Sequence, residues 1–237
     1  VQIVTFVALA LYAGLLRELR HFRLWQRFWR ADWVAMGRVF RLGWPIGVTG
    51  LAESGLFQAS ALMMGWIGTV ELAAHGIAME VAALAFMVHL GLSNAVTIRT
   101  AQADGSADLR GMRDGGLVGV GLSAAFGVAM VVLFLVVPGP IISLFLDMAK
   151  PESAGIVVLG TVLLALAALF QLADAMQVLA LGLLRGVQDT KVPMWLAAVS
   201  YWGIGIPCSY ALAFVLGWGA VGVWLAAECN PGEAPAV

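Results

Sequence analysis

Apolar runs of bilayer length recur along this chain, and a run of that length leaves a polypeptide few options. In hydrocarbon every backbone N–H and C=O must find a partner inside the protein, so about 20 consecutive apolar residues fold as a membrane-crossing helix. The composition agrees. Residues of the AVILMFWYC set make up 62% of the 237 and charged residues 11%, against about 25% charged in soluble domains. The sequence predicts complete spans near 42–67, 72–97, 115–137, 155–183 and 193–216. Residues 1–16 (VQIVTFVALALYAGLL) read as the end of a further helix, 219–227 as the stub of another, and 228–237 as an irregular tail. The expected fold class is an all-α integral membrane protein, a polytopic helix bundle truncated at both ends. No basic region precedes the first apolar run, which fits a cleavable signal peptide poorly.

Charge in the connections predicts orientation. Seven arginines lie between residues 17 and 41 (Arg17, Arg20, Arg23, Arg27, Arg30, Arg38 and Arg41), and the connection around 98–114 carries Arg99, Arg110 and Arg113. The connection at 184–192 has Arg185 and Lys191; the intervening ones have only Lys150 or no basic residue. Basic residues thus favour alternate loops, placing the 17–41 loop in the cytoplasm by the positive-inside rule. Its Trp25, Phe28, Trp29 and Trp33 would also suit a nucleic-acid patch. An amphipathic helix lying on the cytoplasmic leaflet explains the arginines and the aromatics together, so no nucleic-acid partner is expected.

Two acids interrupt the apolar runs, Glu53 in the first complete span and Asp174 in the fourth. A carboxylate at the bilayer centre costs about 2.5–3.5 kcal/mol on insertion scales, so one that is kept usually has a role. Glu53 follows the start of its run at Leu42 by 11 residues and Asp174 precedes the end of its run at Leu184 by 10. On helices of opposite direction both lie about 15 Å in from the same membrane surface. Glu53 shares its face with Gly50, Phe57 and, less closely, Gln58; Asp174 has Gln171 and Gln177 three residues to either side and Phe170 one turn earlier. The competing reading makes each carboxylate a structural group, protonated or hydrogen-bonded to a neighbouring helix. Two acids at matched depth favour a shared cation site, holding a proton or a metal ion. Glu80 is a third intramembrane acid, open to either a site role or a structural one.

Catalytic signatures are missing: His75 and His89 belong to no HExxH motif and no serine sits in GxSxG. The chain is expected not to be an enzyme and to carry no cofactor. His75 with Glu71, four residues earlier, could ligate a metal, although an interfacial histidine beside a short loop is simpler. His89 and Asn94 are expected to make polar contacts between helices. Cys208 reads as a small packing residue. The GxxxG spacings at Gly43/Gly47, Gly115/Gly119 and Gly182/Gly186 read as close helix packing, and Pro45 and Pro207 as tolerated kinks.

Three stretches resemble one known family: RLGWPIGVTGLAESGLFQ leading to LGTVELAAHGIAMEVAALAFM, TIRTAQADGSADLRGMRDG, and QLADAMQVLALGLLRGVQDTKVPM. Together they make the chain similar to the second half of a multidrug and toxic compound extrusion (MATE) transporter of the NorM type, from about residue 1 to 227. The resemblance implies a bacterial inner-membrane protein of twelve helices in two six-helix lobes facing each other across a substrate cavity. The lobe at 42–227 would be C-terminal, and the missing N-terminal lobe would be its partner. It further implies export of organic cations and other amphipathic small molecules in exchange for H⁺ or Na⁺. Glu53 and Asp174 would couple the cation, with Na⁺ as the candidate metal, and Phe57, Gln58, Glu80, Phe170 and Gln177 are candidates to line the cavity. Some sodium-coupled relatives carry a tyrosine where this chain has Phe170; a phenyl ring offers no oxygen to a hard cation, which leans toward proton coupling. The alternatives are a flippase for lipid-linked precursors, from which a strongly cationic cavity would be expected, and a truncated product that does not transport.

Overall fold

The computed structural model describes residues 2–15, 32–146 and 153–228. Five of the seven arginines of the 17–41 loop, the expected amphipathic helix over that stretch, and the tail from 229 on lie outside the described residues. Within them the chain is helices joined by short connections, with no strand. The helices are α1 (Gln2–Leu15), α2 (Trp33–Ile67), α3 (Thr69–Gly105), α4 (Leu109–Val136), the short α5 (Pro138–Ser143), α6 (Ser153–Gly186), α7 (Lys191–Val215) and α8 (Gly219–Glu228).

Four of these, α3, α4, α6 and α7, are long and apolar enough to cross a membrane. At 35 residues α2 exceeds the length needed, but Glu53, Ser54, Gln58 and Ser60 dilute its apolar character. It begins earlier than the expected 42–67 span because Asp32 caps it, the Asp32 carboxylate accepting from the Val34 and Ala35 N–H groups at 3.1 and 3.0 Å. Residues 33–41 are therefore helix, continuous with the span, where the sequence reading placed a loop. In the same way α3 runs on to Gly105, and Asp108 starts α4 by accepting from Gly111 N–H. A side-chain acceptor at this position satisfies a backbone donor that the first turn leaves orphaned.

The core of residues 44–228 is the parallel pair α3 and α6. Ser93 Oγ donates to the Val178 carbonyl at 2.6 Å and Thr97 Oγ1 to the Gly182 carbonyl at 2.9 Å, both 85 positions apart in sequence. That constant offset means that the two helices run in step. Their closeness depends on glycine: a Cβ at Gly182 would lie 2.8 Å from the Ser93 carbonyl oxygen, and one at Gly186 would lie 2.6 Å from Thr100 Cβ. The packing reading of Gly182/Gly186 holds, and Gly119 is likewise pressed against Val96 of α3. Among the described residues a Cβ at Gly43 or Gly47 would meet nothing within 4 Å, so none of them packs closely on that GxxxG pair. Val81 and Ala85 of α3 meet Phe134 of α4 and Leu164 and Ala168 of α6 in one apolar cluster. A second cluster joins Met63 and Met64 of α2, Ala74 and Ala78 of α3, Leu163 of α6 and Val223 and Trp224 of α8.

In α7 the backbone departs from the α-helical ladder. Ala198–Gly205 and Ala211–Val215 are π-helical on either side of Pro207, and Ile206 N–H reaches back five residues to the Tyr201 carbonyl. The widened turns accommodate the proline that the sequence marked as a kink. Cys208, expected to pack inside this run, is exposed. Gly217 and Gly219, with φ of +72° and +57°, make the sharp reversal into α8.

Candidate functional site

A cavity of about 240 Å³ opens between α2, α3, α6, α7 and α8. Helical spacing brings Thr49, Glu53, Phe57 and Ser60 of α2 to one wall, and Phe170, Asp174, Gln177 and Leu181 of α6 to another. His75, Met79, Ala82 and Phe86 of α3, Tyr201 of α7 and Trp224 of α8 complete it. The two acids therefore face one space, as do Phe57, Phe170 and Gln177. Gln58 and Glu80 are exposed and line no part of it. One residue step on a helix turns a side chain by about 100°, which separates Gln58 from Phe57 and Glu80 from Met79.

Glu53 and Asp174 are close enough to interact electrostatically, and Glu53 also senses Arg185 two turns beyond the cavity-lining Gln177. Two carboxylates facing one apolar space repel when both are charged, and a cation between them relieves that repulsion. Around them α2 is held to α7. Ala52 and Leu56 pack on Ala197 and Tyr201, and Trp202 Nε1 donates to the Ala52 carbonyl, next to Glu53, at 3.1 Å. Gly55 leaves room for that indole: a Cβ there would stand 3.0 Å from Trp202 Nε1.

Tyr201 is the functional candidate that sequence reasoning missed. Its hydroxyl accepts from Gln177 Nε2 inside the cavity, so the cavity that Phe170 lines does carry a phenolic oxygen. Its only sequence signal is a tyrosine in an apolar run, and the π-helical turn that aims it cannot be read from residue spacing. Among the described residues no group of three or more His, Cys, Asp or Glu side chains converges. A Na⁺ at Glu53 and Asp174 would have to draw further oxygens from neutral groups such as Tyr201.

The histidines take structural partners. His75 is buried where an interfacial position was expected, and its Nδ1 accepts from Trp224 Nε1 at 3.1 Å, which occupies a nitrogen that a metal shared with Glu71 could have used. His89 and Ser123 share a hydrogen bond of 2.6 Å between α3 and α4, the interhelical contact expected of it. Among the methionines of α2 and α3, Met79 faces the cavity, Met63 and Met64 are core, and Met87 is exposed.

The family model described as MatE matches residues 45–211. A probable multidrug resistance protein NorM of Rhizobium meliloti (strain 1021) is 45% identical over 224 residues, covering 93% of this chain and 48% of that protein. A protein of the same description from Agrobacterium fabrum is 41% identical over 220 residues, 93% of this chain and 47% of its own length. The chain spans about half the length of the curated relatives it matches. Among solved structures, it superposes on an outward-facing multidrug resistance MATE family transporter of the MOP superfamily with a TM-score of 0.70 at 23% identity. A MATE structure in the bent conformation gives 0.73 at 20% identity. Each covers 82% of this chain and 42% of the other, so the polytopic helical fold is shared.

Proposed function

This chain belongs to the MatE family, and on that premise we propose that it provides the cation-handling lobe of a multidrug exporter in a bacterial inner membrane. The reading is an antiporter for organic cations and other amphipathic small molecules, driven by H⁺ or Na⁺, working with a second lobe. The observation that carries it is the placement of Glu53 and Asp174 on two walls of one apolar cavity. Antiport requires that drug and driving ion exclude one another. A pair of carboxylates supplies that exclusion, because a cationic drug gains their attraction only while no proton or Na⁺ has neutralised it. Phe57 and Phe170 offer ring faces to an organic cation, worth about 0.5–2 kcal/mol each when desolvated.

Phe170 contributes no oxygen, which favours a proton; the Tyr201 hydroxyl, engaged by Gln177, is the oxygen Na⁺ would recruit. The test uses the natural-length protein in vesicles, with drug efflux driven by an imposed pH gradient without sodium or by a sodium gradient at constant pH. Efflux is expected to follow the pH gradient and to be abolished by Glu53→Gln and by Asp174→Asn, with expression unchanged. The double variant should be little worse than either single one, because groups that act as a unit are non-additive. Near-normal efflux in both single variants would reduce the acids to structural groups. A requirement for sodium would assign the ion to Na⁺.

A further inference from the structure

Among the described residues three buried side chains carry a polar atom with no protein partner: Ser60 Oγ, Gln171 Nε2 and His89 Nε2. His89 sits between α3 and α4 and is not part of the cavity, whereas Ser60 and Gln171 both line it. They are 4% and 2% exposed, and native proteins rarely leave such groups unpaired without a reason. Ser60 also forgoes the usual local outlet. Thr49 on the same helix donates to the Pro45 carbonyl at 2.9 Å, and Thr161 on α6 to that of Val157 at 2.8 Å. Ser60 makes no such bond to the residue four before it.

Their positions agree. Gln171 precedes Asp174 by three residues on α6, and Ser60 follows Glu53 by seven on the antiparallel α2, so both lie on the same side of the acids. The displacement along the helix axes is about 4.5 Å for Gln171 and about 10.5 Å for Ser60. The orphaned atoms are an amide N–H₂, which donates, and a hydroxyl, which can donate or accept, in a lining that also holds apolar Met79, Ala82 and Ala167. The one partner that both can bind is an acceptor, and in an apolar wall an acceptor that carries no charge of its own.

We propose that Ser60 and Gln171 form an acceptor-binding subsite, distinct from the acidic pair, that selects organic cations bearing a carbonyl or similar oxygen about one aromatic ring away from the positive centre. This rests on the cation reading of Glu53 and Asp174 and adds to it a second anchoring point. The cavity then has two ends, one that attracts charge and one that reads a neutral polar group. A lipophilic cation with no hydrogen-bonding atom fills the first alone.

The test compares tetraphenylphosphonium with its 4-acetylphenyl congener, which differs by one carbonyl, by equilibrium binding to the natural-length protein in lipid nanodiscs. The wild-type protein should bind the acetyl compound about 3- to 10-fold more tightly, the size of one net hydrogen bond. Ser60→Ala and Gln171→Met should each bring the ratio of the two affinities toward one. Ser60→Ala removes a single oxygen, so the comparison survives if Gln171→Met does not fold. Equal affinities in the wild-type protein, or a preference unchanged in the variants, overturn the subsite and leave the two atoms to bind water. Glu53→Gln with Asp174→Asn tests the underlying reading separately. If tetraphenylphosphonium binds that double variant as well as wild type, the cation site falls while the carbonyl preference still reports on the subsite. Binding of neither probe by the wild-type protein overturns both.

Discussion

Ser123 is fully buried on α4, and its hydroxyl is the protein partner that His89 of α3 has through Nδ1. Beside them Phe126 meets the imidazole edge-on at 5.3 Å, and a Cβ at Gly127 would stand 3.7 Å from His89 Cε1. The other ring nitrogen, Nε2, already has no protein partner among the described residues. Ser123→Ala should therefore leave both ring nitrogens without a protein partner and destabilise the protein by about 1–3 kcal/mol, read as a lowered thermal midpoint in detergent; an unchanged midpoint would mean that the bond adds nothing. At this scale the sequence was unevenly legible. Glu53 and Asp174 stand out because a charge in an apolar run is expensive wherever it points. Glu80 stands out for the same reason yet is exposed away from the cavity, because expense does not give direction. Ser60 and Tyr201 raise no such flag, since a hydroxyl in a membrane helix is cheap and common. Only the neighbours it fails to meet, or does meet, give it meaning.

At the scale of elements, α3–α6 and α7 solve opposite problems. The first pair needs two long helices close together over their whole length and meets that need with Gly182 and Gly186 opposite Ser93, Thr97 and Thr100. A branched side chain at Gly182 has nowhere to go, because the Ser93 carbonyl is backbone. Gly182→Val should break the Thr97 Oγ1 bond to the Gly182 carbonyl, push the helices apart and cost several kcal/mol, by analogy with overpacked cores at about 1–3 kcal/mol plus the lost bonds. A collapse of the monodisperse peak on size-exclusion chromatography would report it, whereas Gly43→Val, where an added Cβ meets nothing within 4 Å among the described residues, should elute as wild type. In α7 the chain instead gives up regularity, and its π-helical turns bring Tyr201 into the cavity while Trp202 ties the helix to α2. The spans were readable from hydropathy because length and apolarity suffice to predict them. Their ends were not, since Asp32 and Asp108 extend the helices past the apolar runs by capping.

For the whole molecule the loops set the sidedness, and the cavity inherits it. If the positive-inside rule holds, the connection between α3 and α4 faces the cytoplasm and the one between α2 and α3 faces outward. In a background with Cys208 and Cys229 replaced by alanine, Ser106→Cys should resist an impermeant thiol reagent in intact cells and Thr69→Cys should be labelled. The reverse pattern would invert the sidedness, so that the depth of the acids, about 15 Å, would be counted from the outer surface. The step-locked α3–α6 pair carries a further consequence, for how chains of this kind can change length. One residue inserted between Asp174 and Val178 would swing either the acid or the Val178 and Gly182 carbonyls by about 100°, losing the cavity or the anchor. Insertions and deletions are thus confined to the segments outside the pair. Inside it, the count of residues is as much a part of the site as their identity.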